Sequence, residues 1–403
     1  MIHPTLIFSF CLLCLISSVS FAQVQVQWSE SEHLELAEIG AAKACTELNI
    51  SIKDCPIKKI QRADKKLSFK YGELVAAADF YHTPLAMDQD KAMGISKLIK
   101  CAHSAVNDLP DLTPETPEAS NCNLTGFLAM PGYLEVLTAN YSHFGWNNMV
   151  SYIDNHKIAL RKAQESFNKK TQDPKLSLRL FHQALIYNGF ADHYLTDAFA
   201  SGHIRVPRIQ IKKWAIKNLP GPLRSYRGDL LSLIIHDHES RNLRSGQEEG
   251  LRVKNSMGDL WMTRGDGDLH TNVDENDVGF LMPMIAVKES FKEVLLAWQT
   301  GEVPDGIYSA TKYVPFHDDV PMIVKFSPEY QKMKKREMIR LIYSAIPFLK
   351  GFWFQKSDVE RMLSNLDKIF SEFQFDVAKE IHNNSELQKR LPSAYQEAYK
   401  KVD

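Results

Sequence analysis

FADHYLTDAFASGH, residues 190–203, sets Asp192, His193, Asp197 and His203 among residues that otherwise belong to a buried helix. His193 and Asp197 are four apart, so on a helix both side chains share one face, roughly 6 Å apart along the axis. Imidazole and carboxylate at that spacing can grip one metal ion. The plainer alternative is a His–Asp hydrogen bond inside a core. Asp192 points about 100° away from His193 around the helix and is assigned no metal. Ser201 and Gly202 follow, and Gly supplies the backbone freedom that ends or kinks a helix. His203 stands six residues beyond Asp197. That is too far along the axis to share an ion with His193 unless the chain bends, which points to a second metal.

Outward from this stretch, helical periodicity dominates. Residues 32–48 place Leu34, Ala37, Ala41 and Ala44 on one stripe. Residues 69–80, 91–106, 124–139, 147–168, 176–199, 230–240 and 280–299 also read as helices, with 176–199 central. Residues 107–123, rich in proline and acids, read as a loop. Residues 205–227 are basic and broken by Pro207, Pro220 and Pro222. Residues 246–272 are rich in Gly and charge, and 301–328 read as a long loop with one short strand. Two or three helices finish the chain. The expected class is mainly α, with a structural shift near residue 301.

The chain has 403 residues, 44% hydrophobic and 24% charged, with a net charge of -1, so a folded core is expected and no strong overall field draws it to nucleic acid or anionic lipid. Residues 6–19, LIFSFCLLCLISSV, form an apolar run too short to span a bilayer. Ser20, Phe21 and Ala22 then resemble a signal-peptidase site, so residues 1–22 read as an export signal and the protein as secreted or periplasmic. A retained anchor is the alternative. Removing that segment takes Cys11 and Cys14 and leaves Cys45, Cys55, Cys101 and Cys122. Four cysteines in an exported chain suggest two disulfides, with Cys45–Cys55 and Cys101–Cys122 favoured as local pairings and free core thiols as the alternative.

The pattern His193-x3-Asp197-x5-His203 resembles the central zinc helix of the zinc-dependent phospholipase C and S1/P1 nuclease superfamily. The resemblance runs from Trp28 to Glu239 and implies a multi-helix core over residues 23–300, followed by a C-terminal extension over 301–403. In that family the first His and the Asp bind one zinc, the Asp bridges to a neighbouring zinc, and the last His binds a more separate third. Three zinc ions, and at least two, are therefore expected. Tyr141-Ser142-His143-Phe144 resembles the family element whose His joins the first zinc. Asp79, after the apolar run from Leu74, matches the Asp that ligates or flanks that zinc and helps activate the attacking water. Trp28 and His33 match the Trp and His whose terminal amine, carbonyl and imidazole hold the bridged zinc. Five residues, 23–27, precede Trp28 if cleavage falls before Gln23. His236 matches a ligand of the third zinc. Ser240 stands where the family's acid would follow, and Glu239, at i+3, is the substitute on the same face.

The resemblance implies a secreted zinc phospholipase C. Such an enzyme cleaves phosphatidylcholine-like glycerophospholipids to diacylglycerol and a phosphorylated headgroup, by attack of zinc-held hydroxide on phosphorus. Membrane phospholipid is then the substrate partner, contact with the membrane is peripheral, and no stable nucleic-acid partner is expected. A single-strand nuclease, which needs aromatic platforms and a basic track, and a non-enzymatic helical protein are the alternatives. Two segments stay outside this reading. Gly265-Asp266-Gly267-Asp268 lacks the full calcium-loop pattern and reads as a polar turn. LIYSAIPFLKGFWF, residues 341–354, reads as core, with an interfacial membrane element as the alternative.

Overall fold

The computed structural model describes residues 30–63, 67–89, 95–96, 99, 136, 140–241, 251–265, 277–317 and 356–398. The expected export signal, Trp28, the expected Cys101–Cys122 pairing, the expected loop at 107–123, Asp266 to Asp268 and the 341–354 segment lie outside the described residues, as does almost all of the expected helices 91–106 and 124–139.

The described chain is mainly helical. Helix α1 (Glu30–Glu47) is followed by the short antiparallel pair β1 (Ile60–Gln61) and β2 (Ser68–Phe69). Then come α2 (Tyr71–Ala77), a 3-10 turn (Ala78–Phe80) and α3 (Pro84–Gln89). A second 3-10 turn (Asn140–His143) leads into α4 (Trp146–Lys169) and α5 (Pro174–Asp197). After these come α6 (Ser201–Ile204), α7 (Arg208–Asn218) and α8 (Arg224–Arg241). Strands β3 (Leu251–Lys254) and β4 (Leu260–Thr263) pair antiparallel, and β5 (Phe316–His317) lies on the other side of β3. Between β4 and β5 runs α9 (Val278–Thr300). The C-terminal helices are α10 (Lys356–Leu363), α11 (Leu366–Asn383), α12 (Ser385–Arg390) and α13 (Ser393–Ala398).

Helix α5 is the centre. Asp173 caps it by accepting from the Leu176 N–H at 2.9 Å, and Pro174 fits the first turn, where no amide partner is needed. From Asn188 to Asp197 every residue is buried, so this half of the helix touches protein on all sides. It packs on α4 along its length and also on α9 and α2. Helix α2 in turn lies close against α1. A Cβ at Gly72 would stand 2.3 Å from the Leu34 carbonyl oxygen, so only glycine permits that approach, which sets His33 of α1 near the end of α2.

Three expectations change in detail. Residues 69–80 do not form one helix, because Phe69 pairs with Ile60 in the β ladder and the helix starts at Tyr71. Glu73 favours that start by accepting from the Lys70 N–H at 2.7 Å. The break after α5 comes before Gly202, in the turn 198–200, and Gly202 lies inside α6. Residues 208–218 form a regular helix, because Pro207 and Pro220 bracket it rather than interrupt it.

The pairing Cys45–Cys55 forms and ties the end of α1 to the loop that follows. The C-terminal helices share the core of the helices before them. Met362, Ile369 and Phe370 pack with Phe144, Ile211 and Trp214, and Phe373, Ile381 and Tyr395 join the larger cluster around α5. Gly145 marks the junction. Its φ of 57° is left-handed, and a Cβ there would meet the Phe373 ring at 2.7 Å.

Candidate metal centre

Five elements bring the site together. His33 comes from α1, Asp79 from the turn after α2, His143 from the turn before α4, His193 and Asp197 from α5, and His203 from α6. The turn 198–200 bends the chain back, and the Gly145 N–H donates to the His203 carbonyl at 2.7 Å. Both features hold α6 against the His143 turn. This is why His203 reaches the site despite its distance along the sequence.

The ligand-type atoms converge. His143 Nδ1 and His193 Nε2 face each other at 3.1 Å. Asp197 Oδ2 lies 2.7 Å from His143 Nδ1 and 3.5 Å from His193 Nε2. Asp79 Oδ1 lies 3.9 Å from His143 Nδ1 and 3.6 Å from His193 Nε2. Tetrahedral ligands about 2.0 Å from one zinc would be about 3.3 Å apart, and these separations lie on either side of that length. The other oxygen of Asp197 faces a different set, 3.5 Å from His33 Nε2 and 3.3 Å from His203 Nδ1. The carboxylate thus presents one oxygen to each of two groups of imidazoles.

Among the described residues, two groups could hold a metal: Asp79, His143 and His193, and also His33, His193 and Asp197. His193 Nδ1 is buried without a hydrogen-bond partner among the described residues, so this ring's polar contacts all lie on its Nε2 side. His236 is half-buried on α8, with its ring centre 5.0 Å from that of His203, and Phe144 stacks on His203 at 4.7 Å. The His203 Nδ1 also lies 3.0 Å from the His143 carbonyl. Helix α8 carries Glu239, whose side chain, like Trp28, lies outside the described residues.

Electrostatics suit a cation. Burial drives the His193 imidazole well below its ordinary range, so it is neutral and its lone pair is available. Burial opposes ionisation of Asp197, but His203 and His143, the latter also through a hydrogen bond, outweigh it and hold the carboxyl below the usual range. The Asp79 carboxyl is pushed up, first by desolvation beside the cluster, with His143 opposing and Asp197 adding to the rise. Yet 26% of its side chain meets solvent, which moderates the desolvation and leaves its position beside the Asp197 charge as the firmer cause. Neutral imidazoles and ionised carboxylates are the metal-binding forms.

Asp192 stands apart from the candidate ligands. It accepts from Tyr71 Oη at 2.6 Å, from Ser290 Oγ at 2.5 Å and from Asn188 Nδ2 at 3.2 Å, tying α5 to α2 and α9. Thr196 is the residue that sequence reasoning passes over, since its contact with His33 joins residues 163 apart and leaves no local signal. Burial pushes the Asp192 carboxyl up to about 7, with Ser290 and Tyr71 opposing. A carboxyl raised on folding gives most stability below its unfolded range near 4. That stability falls as pH rises and is lost above about 7, a difference of roughly 4 kcal/mol between the limits. Asp192→Asn should flatten this limb. Urea midpoints of the metal-free protein at pH 5 and pH 8 measure it, and equal pH dependence in both proteins would refute the assignment.

No protein-family model, curated protein or solved structure matches the chain.

Proposed function

We propose that this chain is an exported zinc phosphodiesterase of the phospholipase C type, acting on glycerophospholipids. The observation that carries the reading is the Asp197 carboxylate, with His143 and His193 at one oxygen and His33 at the other. A bridging carboxylate between two imidazole groups suits a pair of divalent ions. The donors are all nitrogen and oxygen, a set that zinc accepts. Asp79, His143, His193 and Asp197 would hold one ion. His33 and the second Asp197 oxygen would contribute to another, and His203 with His236 to a third.

Zinc there would supply Lewis acidity, lowering the pKa of a bound water toward about 7 and screening charge on the phosphate oxygens. The chain's own part is orientation and proton transfer. Asp79 borders the site and is partly open to solvent, so its second carboxylate oxygen is placed to take the proton of an attacking water. The water oxygen bonds to phosphorus as the bond to the glycerol oxygen breaks. Diacylglycerol leaves with a proton, and the headgroup keeps the phosphate. The Cys45–Cys55 disulfide supports export, because such bonds persist in oxidising compartments.

Metal analysis of the purified protein, followed by turnover of phosphatidylcholine, phosphatidylglycerol and single-stranded DNA side by side, tests the proposal. Bound zinc and lipid turnover are expected. Absence of zinc would sink the whole reading, and turnover of DNA in preference to lipid would move the enzyme to the nuclease branch.

A further inference from the structure

Thr196 carries an arrangement that the proposed chemistry does not by itself require. Its Oγ1 lies 2.8 Å from the Asp192 carbonyl and 2.9 Å from the His193 carbonyl, one turn back along α5. A hydroxyl has one proton, and both carbonyls lie on the side to which a helical Thr donates. The lone pairs of Oγ1 are left to accept, and His33 Nδ1 stands 2.7 Å away. Both side chains are buried, at 4% exposure for His33 and 1% for Thr196, so bulk water does not compete for this contact.

We infer that Thr196 is a positioning residue that selects the tautomer of His33. The hydroxyl, already donating to the helix, accepts the proton of Nδ1, and in the neutral ring the lone pair of His33 is thereby placed on Nε2. That nitrogen faces Asp197 Oδ1 at 3.5 Å. The opposite tautomer would turn an N–H toward the same carboxylate oxygen and block it as a shared ligand site. Thr196 is thus to His33 what the outer hydrogen-bond partner is to a metal-binding imidazole: it sets both ring orientation and which nitrogen carries the lone pair. The contact spans two helices, so the docking of α1 on α5 and the choice of lone pair are one event.

This inference rests on the metal reading only for its consequence. The tautomer itself is a property of the metal-free protein. Nitrogen-15 NMR of histidine-labelled, metal-free full-length chain should show His33 with Nδ1 protonated and Nε2 bare. Thr196→Val removes the acceptor and should lose that signature, while Thr196→Ser should retain it. Zinc affinity, read by competition with a chromophoric chelator, should fall about 10- to 100-fold in Thr196→Val and stay near wild type in Thr196→Ser. A protonated Nε2 in the wild type, or zinc affinity in Thr196→Val within about twofold of wild type, would overturn the assignment. If Thr196→Val does not fold, the wild-type spectrum and Thr196→Ser still decide it. If the wild type binds no zinc, the metal reading falls and the tautomer signal alone judges Thr196.

Discussion

Asp197→Asn should reduce zinc affinity by at least about a thousandfold and abolish turnover while leaving the helical fold in place. The size follows from charge. Two unit charges near 4 Å are worth about 4 kcal/mol at an effective dielectric of 20, which is about three decades in binding. The amide is close in shape to the carboxylate but carries no charge, and one of its two positions is a donor rather than a ligand. It therefore cannot serve both imidazole groups, with His143 Nδ1 at 2.7 Å from one oxygen and His203 Nδ1 at 3.3 Å from the other. Metal content by mass spectrometry, turnover on short-chain phosphatidylcholine and far-UV circular dichroism form the test. Wild-type zinc content with near-normal turnover would defeat the bridging role. A second consequence appears in the metal-free protein. The Asp197 carboxyl is held below its ordinary range, so its stabilising contribution is present above about pH 4 and is lost as the pH falls. The Asn variant should lack that acid limb.

Asp358→Ala should cost about 3–5 kcal/mol of stability, because it leaves a buried guanidinium without its counter-charge. Asp358 on α10 is fully buried and accepts from Arg227 Nε at 3.1 Å and from Arg227 Nη2 at 2.5 Å. Arg227 sits in the first turn of α8, the helix that carries His236, and its Nη1 donates to the Pro220 carbonyl at 2.5 Å. The pair therefore fastens the C-terminal helices to the helix behind the site, beside the cluster of Met362, Ile369 and Phe370 with Phe144. Urea denaturation of the intact chain measures the loss. A cost under about 1 kcal/mol would mean that the pair is no more than a surface-type contact. Replacement of both partners by apolar residues should recover most of the loss, since the expense lies in the unpaired charge.

Much of this is legible in the amino-acid order. The four-residue spacing of His193 and Asp197 requires a shared helix face, and the structure puts their ligand atoms 3.5 Å apart. The apolar stripe of Leu34, Ala37, Ala41 and Ala44 requires a helix packed on one side, and α1 is that helix. The local Cys45–Cys55 pairing is accessible to spacing alone. Asp192 is separable from the ligands because one residue turns a side chain about 100° around a helix.

What spacing cannot supply is anything that depends on how helices dock. The bend at 198–200 carries His203 back to Asp197, and its path is set by tertiary contacts, including the Gly145 N–H to the His203 carbonyl. Whether the prolines flanking residues 208–218 break or bracket a helix depends on the surface that buries Ile211 and Trp214. The C-terminal helices read as an extension along the chain, yet Phe373 fills the space that Gly145 leaves. The sequence alone determined which helix face His193 and Asp197 share, because helical periodicity is local. Only the tertiary structure decided which oxygen of Asp197 meets which imidazole, because that pairing joins side chains from separate helices and exists only once their apolar faces are buried together.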